Sequence, residues 1–182
     1  ISDVQPIHHN KPLELGDISL EIIHLPGHSP GHCGLYDHES HVLFIADIDL
    51  RRFGPWYGWK NSNLQLFQKS VEILTSFIKT HAISLVISSH TKPIDKHECL
   101  NRLANFKQVF GVRKKKILEY ISKKQDGTSI EEIVNQSFIY PKSNTDQSFV
   151  NHVFERHHIE HHIDELIKEK RIYNNGDLLF LA

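Results

Sequence analysis

The chain has 182 residues, of which 39% are apolar and 24% charged, and its formal net charge is −1. That is enough for one domain or two small ones of ordinary globular composition. No apolar run approaches the roughly 20 residues that span a bilayer, and near-neutral charge argues against bulk nonspecific binding to nucleic acid. The opening Ile1-Ser-Asp-Val-Gln-Pro has neither the basic nor the apolar part of a secretory leader. Charge is unevenly divided: residues 1–99 hold eight Lys/Arg against eleven Asp/Glu, and residues 100–182 hold thirteen against eleven. The two cysteines, Cys33 and Cys99, fit no CxxC pattern and read as buried free thiols of a reducing compartment, which points to the cytoplasm. Histidine occurs 15 times, so position rather than presence must carry any assignment. Methionine is absent and the chain opens on an isoleucine, which suggests a piece of a longer protein.

In chain order, Ile18–Leu25, His32–Tyr36 and His41–Ala46 are short apolar runs between turn residues and read as adjacent strands. A helix starting near Asn61 carries Leu64, Phe67, Val71, Leu74 and Ile78 at spacings of three and four, one apolar stripe suited to packing on a sheet. Ser84–Ser89 follows as a buried strand ending at His90. Character changes near Lys92-Pro93, giving an expected division into residues 1–94 and 95–182. The second part reads as helices over 95–110, 112–124, 129–136 and 147–169, the last with an apolar face of Ile159, Ile163, Leu166 and Ile167. Asn175-Gly176 between apolar runs signals a terminal hairpin. Helices closed by such a hairpin describe a winged-helix module.

The chemistry concentrates in His24-Leu-Pro-Gly-His28-Ser-Pro-Gly-His32. A strand that ends in a rigid Gly/Pro turn displaying imidazole is suited to metal binding. His28 lies in that loop, Asp47 ends the third strand and His90 ends the fourth. Ligands at the ends of neighbouring strands converge on one sheet edge, and a His/Asp mixture suits Zn²⁺, Mn²⁺ or Fe²⁺.

These stretches resemble the metallo-β-lactamase superfamily: the Pro-Gly-His28 element, Phe44-Ile-Ala-Asp47 and Ser88-Ser-His90 match three of its motifs in order. The resemblance implies an α+β fold, the C-terminal half of an αββα sandwich. It also implies two divalent ions, Zn²⁺ first and Mn²⁺ or Fe²⁺ as alternatives, with His28 on one metal, His90 on the other and Asp47 bridging. Metal-bound hydroxide would then attack an ester, thioester, lactone or phosphodiester. The family's other signature, HxHxDH, is missing from these 182 residues, and His8-His9 has neither its spacing nor its acid. Three ligands are too few for two metals, so little activity is expected of this chain alone. Ala46 stands where the family has Gly, and Leu25 where it has Thr.

The remaining features are read more plainly. His24 and His32 are expected beside the strands or behind the ligands, Asp49 in the following loop, and Ser88 and Ser89 on local backbone groups. Phe53, Trp56 and Tyr57 lie in a Gly/Pro loop that the resemblance places at the active-site mouth; they form either a substrate wall or an aromatic plug at a helix or dimer contact. Residues 95–182 resemble the small winged-helix domain that follows the lactamase fold in the lactamase-beta-like endoribonuclease group. Glu155, Glu160, Asp164 and Glu165 disfavour phosphate contact by its last long helix, so packing over the mouth or dimerisation is the expectation. The basic run Arg113–Lys116 reads as a solvated helix start. The pairs His157/His161 and His158/His162 have metal-chelating i, i+4 spacing without a third ligand. The expected function is a metal-dependent hydrolase acting on a small molecule or single-stranded RNA, away from membranes and as a monomer or homodimer. The rival is a nucleic-acid- or protein-binding winged-helix module with a vestigial hydrolase half.

Overall fold

The computed structural model describes residues 6–8, 11–141 and 148–182. Residues 1–5, His9 and position 147 at the expected start of the last helix lie outside the described residues. One sheet runs β1 (Leu13–Leu15), β2 (Ile18–His24), β3 (Cys33–Asp37), β4 (Val42–Phe44) and β5 (Leu85–Ile87), in that spatial order. The first three pairings are antiparallel, and β4–β5 is parallel. Parallel neighbours need a crossover, supplied here by α1 (Leu64–Thr80). Asn63 caps α1, its side chain accepting the Leu66 N–H at 2.9 Å. The stripe read from spacing is the buried face, with Leu64, Phe67, Val71, Leu74 and Ile78 all at most 4% exposed. It packs with Ile23, Tyr36, Leu43 and Val86 of the sheet in one core.

The second part departs from expectation at its first helix. In place of two helices over 95–110 and 112–124 there is one, α2 (Lys96–Ile121), continuous through Gly111. Glycine inside a helix costs only about 1 kcal/mol, and burial on both sides outweighs that. Leu103, Phe106 and Phe110 join the sheet core, whereas Ile117 and Ile121 join a second core with Ile133, Ile159, Ile163 and Leu166. The second core is completed by α3 (Ile130–Val134), α4 (Ser148–Lys168) and the hairpin β6 (Ile172–Asn175) and β7 (Leu178–Leu181). Asn175 pairs with Leu178, so the turn is Gly176-Asp177, one residue beyond the expected Asn175-Gly176, with Gly176 at φ +62°. A bridge from Thr128 to Leu179 ties the hairpin to the segment before α3. Both cysteines are free and Cys99 is buried, its thiol pushed up to about 12 by burial. No helix among the described residues is long and apolar enough to cross a membrane.

Candidate metal-binding edge

Three strand ends meet on one edge of the sheet. Beyond β4 and β5 the parallel ladder continues, Ile45 N–H donating to Ile87 O at 2.8 Å and Ser89 N–H to Ala46 O at 3.0 Å. Parallel strands end on the same side, so Asp47 and His90 arrive together. Ala46 takes φ +45° at this bend, a left-handed conformation that costs a residue with a Cβ roughly 1 kcal/mol. The family's glycine at this position therefore has a backbone reason.

The Pro26-Gly27-His28 turn is held by the start of α1. Asn63 N–H donates to Gly27 O (2.8 Å), Ser62 Oγ–H to His28 O (2.8 Å) and Ser70 Oγ–H to Pro26 O (2.7 Å). Gly27 sits at φ +136°, and a Cβ there would lie 2.3 Å from the Phe67 Cα. Only glycine lets the turn approach the helix this closely.

His28 is then oriented through its ring. Its Nδ1–H donates to the Trp56 carbonyl at 2.9 Å, which leaves Nε2 facing Asp47 Oδ2 at 3.6 Å. His90 Nε2 faces the other oxygen, Oδ1, at 3.1 Å. Side-chain exposure rises from 14% at His28 through 36% at Asp47 to 53% at His90, so the edge opens toward solvent. His32 stands behind it: its Nδ1–H donates to Leu25 O (3.0 Å) and its Nε2 accepts the Asp47 N–H (3.1 Å). Burial, then the neighbouring His28, lowers its pKa and keeps it the neutral acceptor this bond requires. Asp49 is spent on the loop, accepting from Arg51 Nε at 2.6 Å. Ser88 meets Thr91 Oγ1 at 2.6 Å.

Does this edge fit a metal centre? Zinc of this class takes three or four protein donors. Among the described residues no group of three or more His, Cys, Asp or Glu is placed to hold a metal ion. The donors occur as two imidazole–carboxylate pairs that share Asp47. Their chemistry suits a two-metal centre, but their number closes neither half of one.

The aromatic loop after Asp47 is fastened from the other part of the chain, and spacing alone could not show this. Arg113 is no solvated helix start: it is 4% exposed in mid-α2. It donates to Pro55 O (2.5 Å) and Phe53 O (2.7 Å), with its guanidinium 4.8 Å over the Phe53 ring. The four α4 histidines serve the same loop rather than chelating a metal. His158 Nε2 accepts Tyr57 N–H (3.1 Å), His162 Nε2 meets Tyr57 Oη (2.8 Å), His157 Nδ1–H donates to Gly58 O (2.6 Å) and His161 Nε2–H to Trp59 O (3.1 Å). Burial, then Arg113, pushes His158 well below the ordinary imidazole range; burial also lowers His162 and raises the Tyr57 phenol to about 12. Tyr57 is 0% exposed, so it is part of a plug between loop and helix and cannot serve as a substrate wall. Phe53 and Trp56 do line an open cavity of about 970 Å³, together with Phe106, Val109 and Tyr140.

Comparison with known proteins relates part of the sequence and the fold to other proteins. The sequence model of the metallo-beta-lactamase superfamily matches residues 3–90. Hydroxyacylglutathione hydrolase GloC of Haemophilus influenzae is 50% identical over 36 residues, 20% of this chain and 17% of that protein. The hydroxyacylglutathione hydrolase of Aeromonas hydrophila is 43% identical over 51 residues, 25% of this chain and 19% of that one. A metallo-beta-lactamase family protein from Thermus thermophilus superposes with a TM-score of 0.78 at 20% identity, over 100% of this chain and 55% of its own. This chain therefore spans about half the length of that structure, and the matched stretches span less than a fifth of either hydrolase. The sequence model matches residues 3–90 to the metallo-beta-lactamase superfamily, and the fold is similar to that of the Thermus thermophilus family protein.

Proposed function

We propose that this chain contributes His28, Asp47 and His90 to the two-metal centre of a hydrolase acting on an ester or thioester of a small molecule. The observation that carries the reading is Asp47, whose two oxygens face two different imidazole Nε2 atoms. A carboxylate so placed can be shared between two dications, Zn²⁺ first and Mn²⁺ or Fe²⁺ as alternatives, which ionise a water near neutral pH when bound. In this reading His28 is held ready by the Trp56 carbonyl and Asp47 by His32. The two relatives named hydroxyacylglutathione hydrolases favour a thioester over a phosphodiester. Residues 95–182 act as a winged-helix-like packing unit that grips the loop at the mouth. The alternative, a nucleic-acid- or protein-binding module with a vestigial hydrolase half, is not favoured, because the matched relatives are hydrolases.

Three ligands leave the centre short of donors, so weak turnover is expected of the 182 residues alone. The test is Zn²⁺ titration together with hydrolysis of a hydroxyacylglutathione thioester, with a phosphodiester in parallel, for the wild type, His28→Ala and Asp47→Asn. Both substitutions should remove metal uptake and whatever thioester turnover the wild type has. Equal uptake in all three proteins, or turnover indifferent to His28→Ala, overturns the reading.

A further inference from the structure

We propose that the cavity beside the metal-binding edge is a subsite for the anionic end of a small amphiphilic substrate, a carboxylate or phosphate on an apolar body. Two observations carry this together. The first is place. Trp56 lines the cavity while its carbonyl holds His28, and its ring centroid lies 5.3 Å from that of His28. Thr91, next in sequence to His90, lines the cavity too. A molecule with one end at Asp47 thus has this space for its remainder.

The second is chemistry. Arg51, Arg52 and Arg102 line the cavity with the amide of Asn105, and its described lining residues include no carboxylate. Arg51 is paired with Asp49 and Arg102 with Glu98. Among the described residues Arg52 has no carboxylate partner, so it is the lining guanidinium that none of them neutralises. Arginine is the side chain best shaped to take a carboxylate or phosphate through two parallel N–H bonds. Phe53, Phe106 and Val109 supply apolar wall for the body of the same molecule. A volume of about 970 Å³ belongs to the class of pockets that enclose small ligands. The hydrolase reading is needed only to place the scissile bond toward Asp47; the anion site stands on the cavity itself.

The experiment is calorimetric titration of the EDTA-treated 182-residue protein with 3-phenylpropionate, phenyl phosphate and the neutral 3-phenylpropionamide. One or both anions should bind about tenfold or more tightly than the amide, the margin a charge-assisted hydrogen bond provides. Whichever anion leads identifies the headgroup. Arg52→Gln, at an exposed position, should bring the anions down to the amide's affinity and leave the amide unchanged. If Arg52→Gln does not fold, Arg102→Gln should narrow the same gap. Equal affinity for amide and anions overturns the proposal, as does a folded Arg52→Gln protein that keeps its selectivity. So does a short oligouridylate that displaces phenyl phosphate and binds more tightly, which would mark the patch as an RNA contact. Because the protein is metal-free in this assay, loss of metal uptake or turnover breaks the hydrolase reading alone. Loss of anion selectivity breaks this proposal alone.

Discussion

The edge of the sheet and the loop beside it use the same residue type in opposite ways. At the edge, His28 and His90 present Nε2 to a half-exposed carboxylate, and His28 alone has its other nitrogen anchored to a backbone carbonyl. At the loop, four histidines of α4 direct ring nitrogens to Tyr57, Gly58 and Trp59, and two of them are fully buried. A histidine is available as a ligand when one ring nitrogen remains uncommitted and faces another donor, as His28 Nε2 and His90 Nε2 face Asp47. It is structural when burial and a backbone partner have used that nitrogen. The two regions are also coupled: the loop gripped by Arg113 and α4 carries the carbonyl that orients His28.

The harshest way to break that coupling is Arg113→Ala. It removes a buried guanidinium and leaves the Pro55 and Phe53 carbonyls without their donor. The expected loss is about 4 kcal/mol in urea unfolding, with weakened metal uptake at His28 even where the protein stays folded. A loss below about 1 kcal/mol would mean the loop is held by the histidines alone. Gly27→Ala strikes the edge from its own side. The new Cβ would meet the Phe67 backbone at 2.3 Å, and thermal unfolding should show a loss of about 3 kcal/mol.

The contrast between the two sets of histidines has a pH signature. His158 and His162 have pKa values lowered in the folded state by burial, so the unfolded chain binds protons that the native state refuses. Stability from this source is complete above the unfolded value near 6.5 and is lost as pH falls below it, by up to about 1.4 kcal/mol per pH unit for each histidine. Urea midpoints measured from pH 7.5 to 5 should fall accordingly, and His158→Gln should flatten the slope. An unchanged slope in that variant would place the acid sensitivity elsewhere. The smallest effect concerns the edge: Ala46→Gly relieves the positive φ at the bend before Asp47 and should raise stability by about 0.5–1 kcal/mol. A decrease would show that the Ala46 methyl contributes packing worth more than the backbone strain it carries.

Much of this was legible in the sequence because it depends on local pattern. The α1 stripe from Leu64 to Ile78, the runs 18–25, 41–46 and 84–89 that contain β2, β4 and β5, and the Pro-Gly-His28 turn follow from periodicity and from residues with restricted backbones. The convergence of His28, Asp47 and His90 follows from strand ends, which a parallel β4–β5 pair brings to one side. Tertiary structure alone decided the rest. Gly111 suggested a break, yet α2 runs through it because each half buries into a different core. Arg113 sits in a basic run like any solvated one, and only the fold places two carbonyls from residues 58 and 60 positions earlier against it. The histidine pairs on α4 have chelating spacing, but spacing cannot reveal that a loop about 100 residues earlier in the chain takes their nitrogens. Local backbone preference is written residue by residue. The partner of a buried polar atom is set by which distant segment packs on it, and for Arg113 and the α4 histidines that segment is the aromatic loop.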